Sequence, residues 1–75
     1  MDAAYEKTVG RNLRRLREEK GFTQEQFAAR LQTDGCDITR SALAKIEVGQ
    51  RHIYLDELCA MRNVLNVPFE RILLP

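Results

Sequence analysis

Seventy-five residues make one small domain, with 44% hydrophobic and 31% charged residues and a formal net charge of +1. That length leaves room for only a modest core, so burial in a dimer would help. The near-neutral charge argues against a nucleic-acid binder that works by bulk charge alone. No run is long enough to span a membrane, and no secretion signal, low-complexity segment or internal repeat is visible.

Charge distribution is more informative than the total. Between Lys7 and Lys20 stand six cations (Lys7, Arg11, Arg14, Arg15, Arg17 and Lys20) against Glu18 and Glu19. The other acids lie mostly elsewhere. The two cysteines, Cys36 and Cys59, do not make a disulfide framework, so reduced thiols and a cytoplasmic location are expected.

The first predicted helix runs from about Ala3 to Lys20. Tyr5, Val9, Leu13 and Leu16 recur on one helical face. Gly10 inside it costs about 1 kcal/mol relative to Ala. Either the helix frays before Thr8, or Gly10 lets another backbone come close. Arg11, Arg14 and Arg15 point outward and read as a solvated face. Arg17, at the edge of the apolar stripe, is better suited to a specific partner.

Gly21 ends that helix. Phe22-Thr23-Gln24-Glu25-Gln26-Phe27 is then the clearest local signal in the chain. Thr23 and Gln26 form a capping box, and Phe22 and Phe27 stand at the staple positions. A second helix from Gln24 to Gln32 follows, with Phe27, Ala28 and Leu31 on one side. A helix start of this kind can hold a phosphate on its unpaired N–H groups. Thr33-Asp34-Gly35-Cys36-Asp37 is a turn.

The third helix, Arg40 to Val48, is N-capped by Thr39, with Ile38 and Leu43 as its staple and Gly49 just past its end. Ala42, Leu43 and Ile46 form its apolar stripe. Arg40, Ser41, Ala44, Lys45 and Val48 fall on the other side. This outer face mixes two cations and a hydroxyl with small apolar groups and has no acid. Arg and Lys donate to guanine in the major groove, small apolar groups touch the thymine methyl, and Ser suits either kind of base. Taken alone, the same residues also describe a short solvated helix.

Gln50 to Tyr54 form a connection containing Arg51 and His52. A fourth helix, Leu55 to Leu65, carries Leu55, Leu58, Cys59, Met61 and Leu65 on one face. Asp56 and Glu57 sit in its first turn, where they suit the helix dipole. Asn66 ends it in the left-handed region. Pro68 opens a last helix to Leu74, with Phe69, Ile72 and Leu73 as its stripe. With Val64, Val67 and Leu74 this end is more apolar than one terminal turn needs. It serves either core packing or a subunit contact.

Two capped helices, Phe22-Thr23-Gln24-Glu25-Gln26-Phe27-Ala28-Ala29-Arg30-Leu31 and Thr39-Arg40-Ser41-Ala42-Leu43-Ala44-Lys45-Ile46-Glu47-Val48-Gly49-Gln50-Arg51, resemble a helix-turn-helix of the lambda-repressor-like, or XRE-type, regulators. The run from Asn12 to Gly21 before them and Leu65-Asn66-Val67 after them are also similar to that family. The resemblance spans about Val9 to Leu73. It implies a compact five-helix, all-α domain occupying residues 1–75, with the motif at about 23–49. Such a domain binds double-stranded DNA as a sequence-specific transcriptional regulator. A homodimeric repressor on a pseudo-palindromic operator is the expected form, with the motif's second helix in the major groove.

By position, the resemblance implies that Arg40, Ser41, Ala44 and Lys45 contact bases. Gln24 would sit at the phosphate backbone or brace Arg40. Val48, Gly49, Gln50 and Arg51 would meet other phosphates through N–H groups and the Arg51 side chain. Arg17 would pair with Glu47, which explains a carboxylate that would otherwise repel DNA. Phe69, Ile72 and Leu73 are the expected dimer contact.

Three departures stand out. The connection from Leu31 to Thr39 is about five residues longer than the usual short turn between such helices. Tyr54 replaces the Ser or Thr expected as the fourth helix's N-cap. Arg62 falls on an apolar face, either snorkelling or forming a cross-subunit salt bridge.

The alternative reading is a protein-binding module, such as an antitoxin or adaptor using the last helix. An enzyme is not expected. His52 is the only histidine, which leaves no imidazole triad and no metal cluster. No cofactor, small-molecule ligand or membrane partner is implied. His52 itself is a loop residue or a phosphate contact.

Overall fold

The computed structural model describes residues 2–75. Its five helices are α1 (Ala3–Glu19), α2 (Gln24–Thr33), α3 (Arg40–Glu47), α4 (Leu55–Leu65) and α5 (Phe69–Leu73), with no strand among the described residues. α1 packs on α3 and α5, while α2 packs on α3 and α4. Leu13, Leu16, Phe27, Leu31, Ile38, Leu43, Met61, Leu65 and Ile72 are the large, fully buried side chains at the centre. Each such side chain contributes about 1.5–3 kcal/mol by leaving water. None of the helices is long and apolar enough to cross a membrane.

α1 does not fray at Gly10. It runs unbroken through that position, where the end of α3 lies against it. A Cβ at Gly10 would overlap the Ile46 carbonyl oxygen and crowd that of Glu47. The glycine therefore sets how closely α1 approaches the end of α3. Asn12, also buried on α1, donates to the carbonyls of Ile72 (2.9 Å) and Leu74 (2.8 Å). Those bonds satisfy carbonyls at the end of α5 that have no partner within their own helix. Tyr5 adds a hydroxyl bond to Leu73 O at 2.9 Å.

The α2 start follows its sequence signal. Thr23 accepts from Gln26 N at 3.0 Å, Gln26 returns a carboxamide oxygen to Thr23 N at 2.9 Å, and the Phe22 and Phe27 rings lie 5.7 Å apart. The long connection to α3 also has a local cause. Gly35, at φ 93°, turns the chain so that Gly35 N donates to Gln32 O (3.0 Å) and Cys36 N to Leu31 O (2.8 Å). This pair of bonds caps the last turn of α2. The chain then inserts Ile38, 1% exposed, into the core, and Gln32 holds the Ile38 carbonyl at 2.7 Å. The extra residues cap one helix and anchor the next.

Several sequence expectations are corrected. Leu55 is 79% exposed and Cys59 is exposed, so the core face of α4 is Leu58, Met61 and Leu65. Both lie off the side that the packing of α2 selects. Pro68 is the N-cap of α5 rather than its first residue, and α1 and α3 each stop one residue short of the expected end. Tyr54 makes no side-chain cap; instead Tyr54 N donates to Glu57 Oε1 at 3.0 Å. Asn66 closes α4 at φ 54°, in the left-handed region as expected.

Candidate nucleic-acid interface

α3 exists as a short helix because both of its ends are locally satisfied. Thr39 Oγ1 accepts from Ala42 N at 3.0 Å. At the other end Gly49, at φ 76°, lets Gly49 N reach Ile46 O (3.1 Å) and Gln50 N reach Lys45 O (2.8 Å). Leu43 and Ile46 anchor the helix in the core. Its outer side then presents Arg40, Ser41 and Lys45 exposed, with Ala44 half-buried between them and Val48 exposed at the end. Among the described residues no salt bridge engages Arg40 or Lys45.

Gln24, Ser41, Ala44, Lys45, Val48 and Gln50 line one open depression of about 380 Å³. Six of the nine residues singled out for base or phosphate contact are thereby brought to a single surface. Arg40, at the first turn of α3, Gly49 and Arg51 do not line it.

Glu47 is turned inward. Arg17 Nε donates to its Oε2 at 2.6 Å and Arg17 Nη2 to its Oε1 at 3.1 Å, with both side chains under a tenth exposed. Gln24 Nε2 adds a third donor to Oε1 at 3.0 Å, and Arg17 Nη1 also donates to Phe22 O at 2.7 Å. The Glu47 carboxylate thus ties the end of α3 to α1 and to the start of α2, and Arg17 carries the link on to the α1–α2 turn. The amide of Gln24 braces Glu47 and not Arg40. The charge that would oppose a polyanion is neutralised inside the fold.

The turn after α3 is less open to phosphate than its sequence implied. The N–H groups of Gly49 and Gln50 are spent on capping α3. The Arg51 guanidinium is also engaged. It donates to both Glu57 oxygens at 2.9 and 3.0 Å, reaches the carbonyl of His52 at 2.9 Å, and lies 5.5 Å from the centre of the Tyr54 ring. His52 Nδ1 lies 2.9 Å from both carboxylate oxygens of buried Glu6. This pins the loop to the first turn of α1. Neither pair is legible from spacing, because each joins elements whose approach is set by the core.

Burial, and then the carboxylates of Glu57, Asp56 and Asp37, push the Cys36 thiol up, which disfavours the nucleophilic thiolate. Arg62 lies half-buried over the Phe69 ring, 5.3 Å from its centre, and donates to Asn63 Oδ1 at 3.2 Å. Its guanidinium carbon lies over the aromatic ring, a cation–π contact that favours a cation on this side of α4, while its Nε is buried without a hydrogen-bond partner among the described residues.

A capped α2, an anchored turn and an exposed α3 define a helix-turn-helix, and the family model described as helix-turn-helix matches residues 13–72. The chain belongs to that family, the XRE-type helix-turn-helix DNA-binding transcriptional regulators. Among solved structures, the DNA-binding domain of BldD has a TM-score of 0.81 at 20% identity, covering 97% of this chain and 99% of that one. The restriction-modification controller protein C.AhdI from Aeromonas hydrophila has a TM-score of 0.80 at 28% identity, covering 92% of this chain and 97% of that one. No curated protein sequence matches the chain.

Proposed function

We propose that this protein regulates transcription as a two-fold homodimer that reads a pseudo-palindromic operator and represses by occupying it. The observation that carries the reading is the outer face of α3. It presents Arg40, Ser41, Ala44 and Lys45 while its one carboxylate, Glu47, is held inside by Arg17 and Gln24. Arg40 and Lys45 donate to base edges, Ser41 contacts either kind of base, and Ala44 meets a thymine methyl. The start of α2 at Gln24 receives one phosphate on its N–H groups, while Val48 and Gln50 contact the strand at the other end of α3. A neighbour named as a controller protein supports a regulatory role for a single domain of this size.

The dimer contact uses Phe69 and Leu73, half-buried, with Leu74, which is 60% exposed. Ile72 is fully buried against the monomer core and takes no part. Two recognition helices related by a dyad address half-sites about 34 Å apart.

Selection of bound duplexes from a random pool tests the reading. A two-fold motif is expected from the wild type. Arg40→Ala and Lys45→Ala each lose about 1–3 kcal/mol and relax one base position. An unchanged motif in both variants overturns the assignment of the reading face. A monomer at all concentrations, with the end of α5 exposed, transfers that surface to a foreign protein partner such as a toxin.

A further inference from the structure

We infer that α1 supplies a cationic edge, formed by Lys7, Arg11 and Arg14, that grips the phosphodiester backbone beside the C-terminal end of the recognition helix. The inference rests on the DNA-reading assignment of α3 and extends its footprint. The three side chains, with Glu47 and Val48, line an open depression of about 210 Å³. Lys7 packs against Gly49 so closely that a Cβ on that glycine would meet its stem at 2.5 Å. Val48, on the outer side of α3, borders both this depression and the one containing Ser41 and Lys45. The two surfaces are therefore continuous.

Charge makes the assignment. The turn after α3 needs positive groups to hold a phosphate, yet its N–H groups cap α3 and its Arg51 is spent on Glu57. The cations beside that turn come from α1 instead. Lys7 and Arg11 are in no salt bridge among the described residues, and Arg14 has only an exposed contact with Glu18 at 3.7 Å. The one acid in the depression, Glu47, is already neutralised by Arg17 and Gln24. Arg15, by contrast, donates to Asn12 and lines neither depression. Cations that touch phosphate raise affinity for all sequences and steepen its salt dependence, without altering which bases are preferred.

The test compares the wild-type chain, the triple variant Lys7→Gln/Arg11→Gln/Arg14→Gln and the control Arg15→Gln. Each is titrated against the selected operator between 50 and 200 mM salt, with thermal melting to show that the fold is retained. Glutamine keeps the stem that Lys7 lays on Gly49. The triple variant is expected to keep the selected motif while its salt slope falls by roughly 3, at about 0.9 per contact. Its deficit against wild type should then be about 40-fold greater at 50 mM than at 200 mM. Arg15→Gln should leave the slope unchanged. A wild-type slope in the triple variant, or an equal loss in Arg15→Gln, overturns the edge and leaves the reading of α3 intact. If the wild type itself selects no motif, the DNA-reading assignment fails and the edge fails with it. If the triple variant unfolds, the three single variants carry the same test, each with a slope change of about 0.9.

Discussion

Arg17–Glu47 and Arg51–Glu57 are chemically the same contact, two parallel hydrogen bonds between a guanidinium and a carboxylate, but they do different things. The first joins residues thirty apart, α1 to the end of α3, with side-chain exposures of 8% and 2%. The second joins residues six apart, the α3–α4 loop to the first turn of α4, with exposures of 29% and 11%. Burial removes water as a competitor, so the first pair is costly to break. It is also costly to have made, because two charges were desolvated. The second pair keeps water nearby and organises a loop. The first ties the end of α3 to α1, and the second ties the turn beyond it to α4.

The largest expected effect comes from breaking the buried pair on one side only. Glu47→Ala leaves Arg17 and the Gln24 amide without their acceptor, and should lower stability by roughly 3–5 kcal/mol, as measured by urea denaturation. Sequence preference should survive at temperatures where the variant is folded. Unchanged denaturation with an altered motif would contradict a structural role for Glu47.

Replacing both partners, Arg17→Met with Glu47→Leu, sharpens the point. Removing the two charges together should cost less than either single change, since no ion is left stranded. The Phe22 carbonyl still loses the 2.7 Å bond from Arg17, so full recovery is not expected. A double variant as unstable as the sum of the singles would mean that the pair is not the unit that matters.

The partly buried pair should matter less. Arg51→Ala is expected to cost more than the ~1 kcal/mol of a fully exposed pair and less than the roughly 3–5 kcal/mol of a fully buried one. Its signature lies in pH. The hydrogen bonds from Arg51 hold the Glu57 carboxyl below its ordinary value of 4.5, with burial opposing and the Tyr54 N–H assisting. A carboxyl lowered in the folded state adds stability above its unfolded pKa, and that stability is lost as pH falls through the folded value. Melting followed from pH 7 to pH 3 should show a shallower acid loss in Glu57→Gln than in the wild type. Parallel acid limbs would show that Glu57 titrates alike in both states.

The two pairs also differ in how visible they are in the chain. Arg17 and Glu47 stand out because family resemblance links them. Arg51–Glu57 and Glu6–His52 carry no such mark, and Arg51 reads from the sequence as a phosphate contact. Its guanidinium faces a carboxylate because α4 begins where the core places it. Arg11 and Arg14 are exposed, as their spacing suggests, but only the fold shows that they stand beside the end of α3. Leu55 and Cys59 fit an amphipathic pattern equally well, and only the packing of α2 against α4 turns them outward.

What the sequence determined by itself is local. The Thr23–Gln26 box, the Thr39 cap, the left-handed Asn66 and the apolar spacing of Leu13, Leu16, Phe27, Leu31, Leu43 and Ile46 specify helices and their inward faces. These depend on hydrogen bonds and periodicities a few residues long. The tertiary structure decided which exposed groups remain available to a ligand. Gly10 admits the α3 backbone, Arg17 and Gln24 take up Glu47, Glu57 takes up Arg51, and the α3 cap takes up the N–H groups of Gly49 and Gln50. Whether a charge or a donor is already occupied depends on distances between elements far apart in the chain, and the close packing of the core sets those distances.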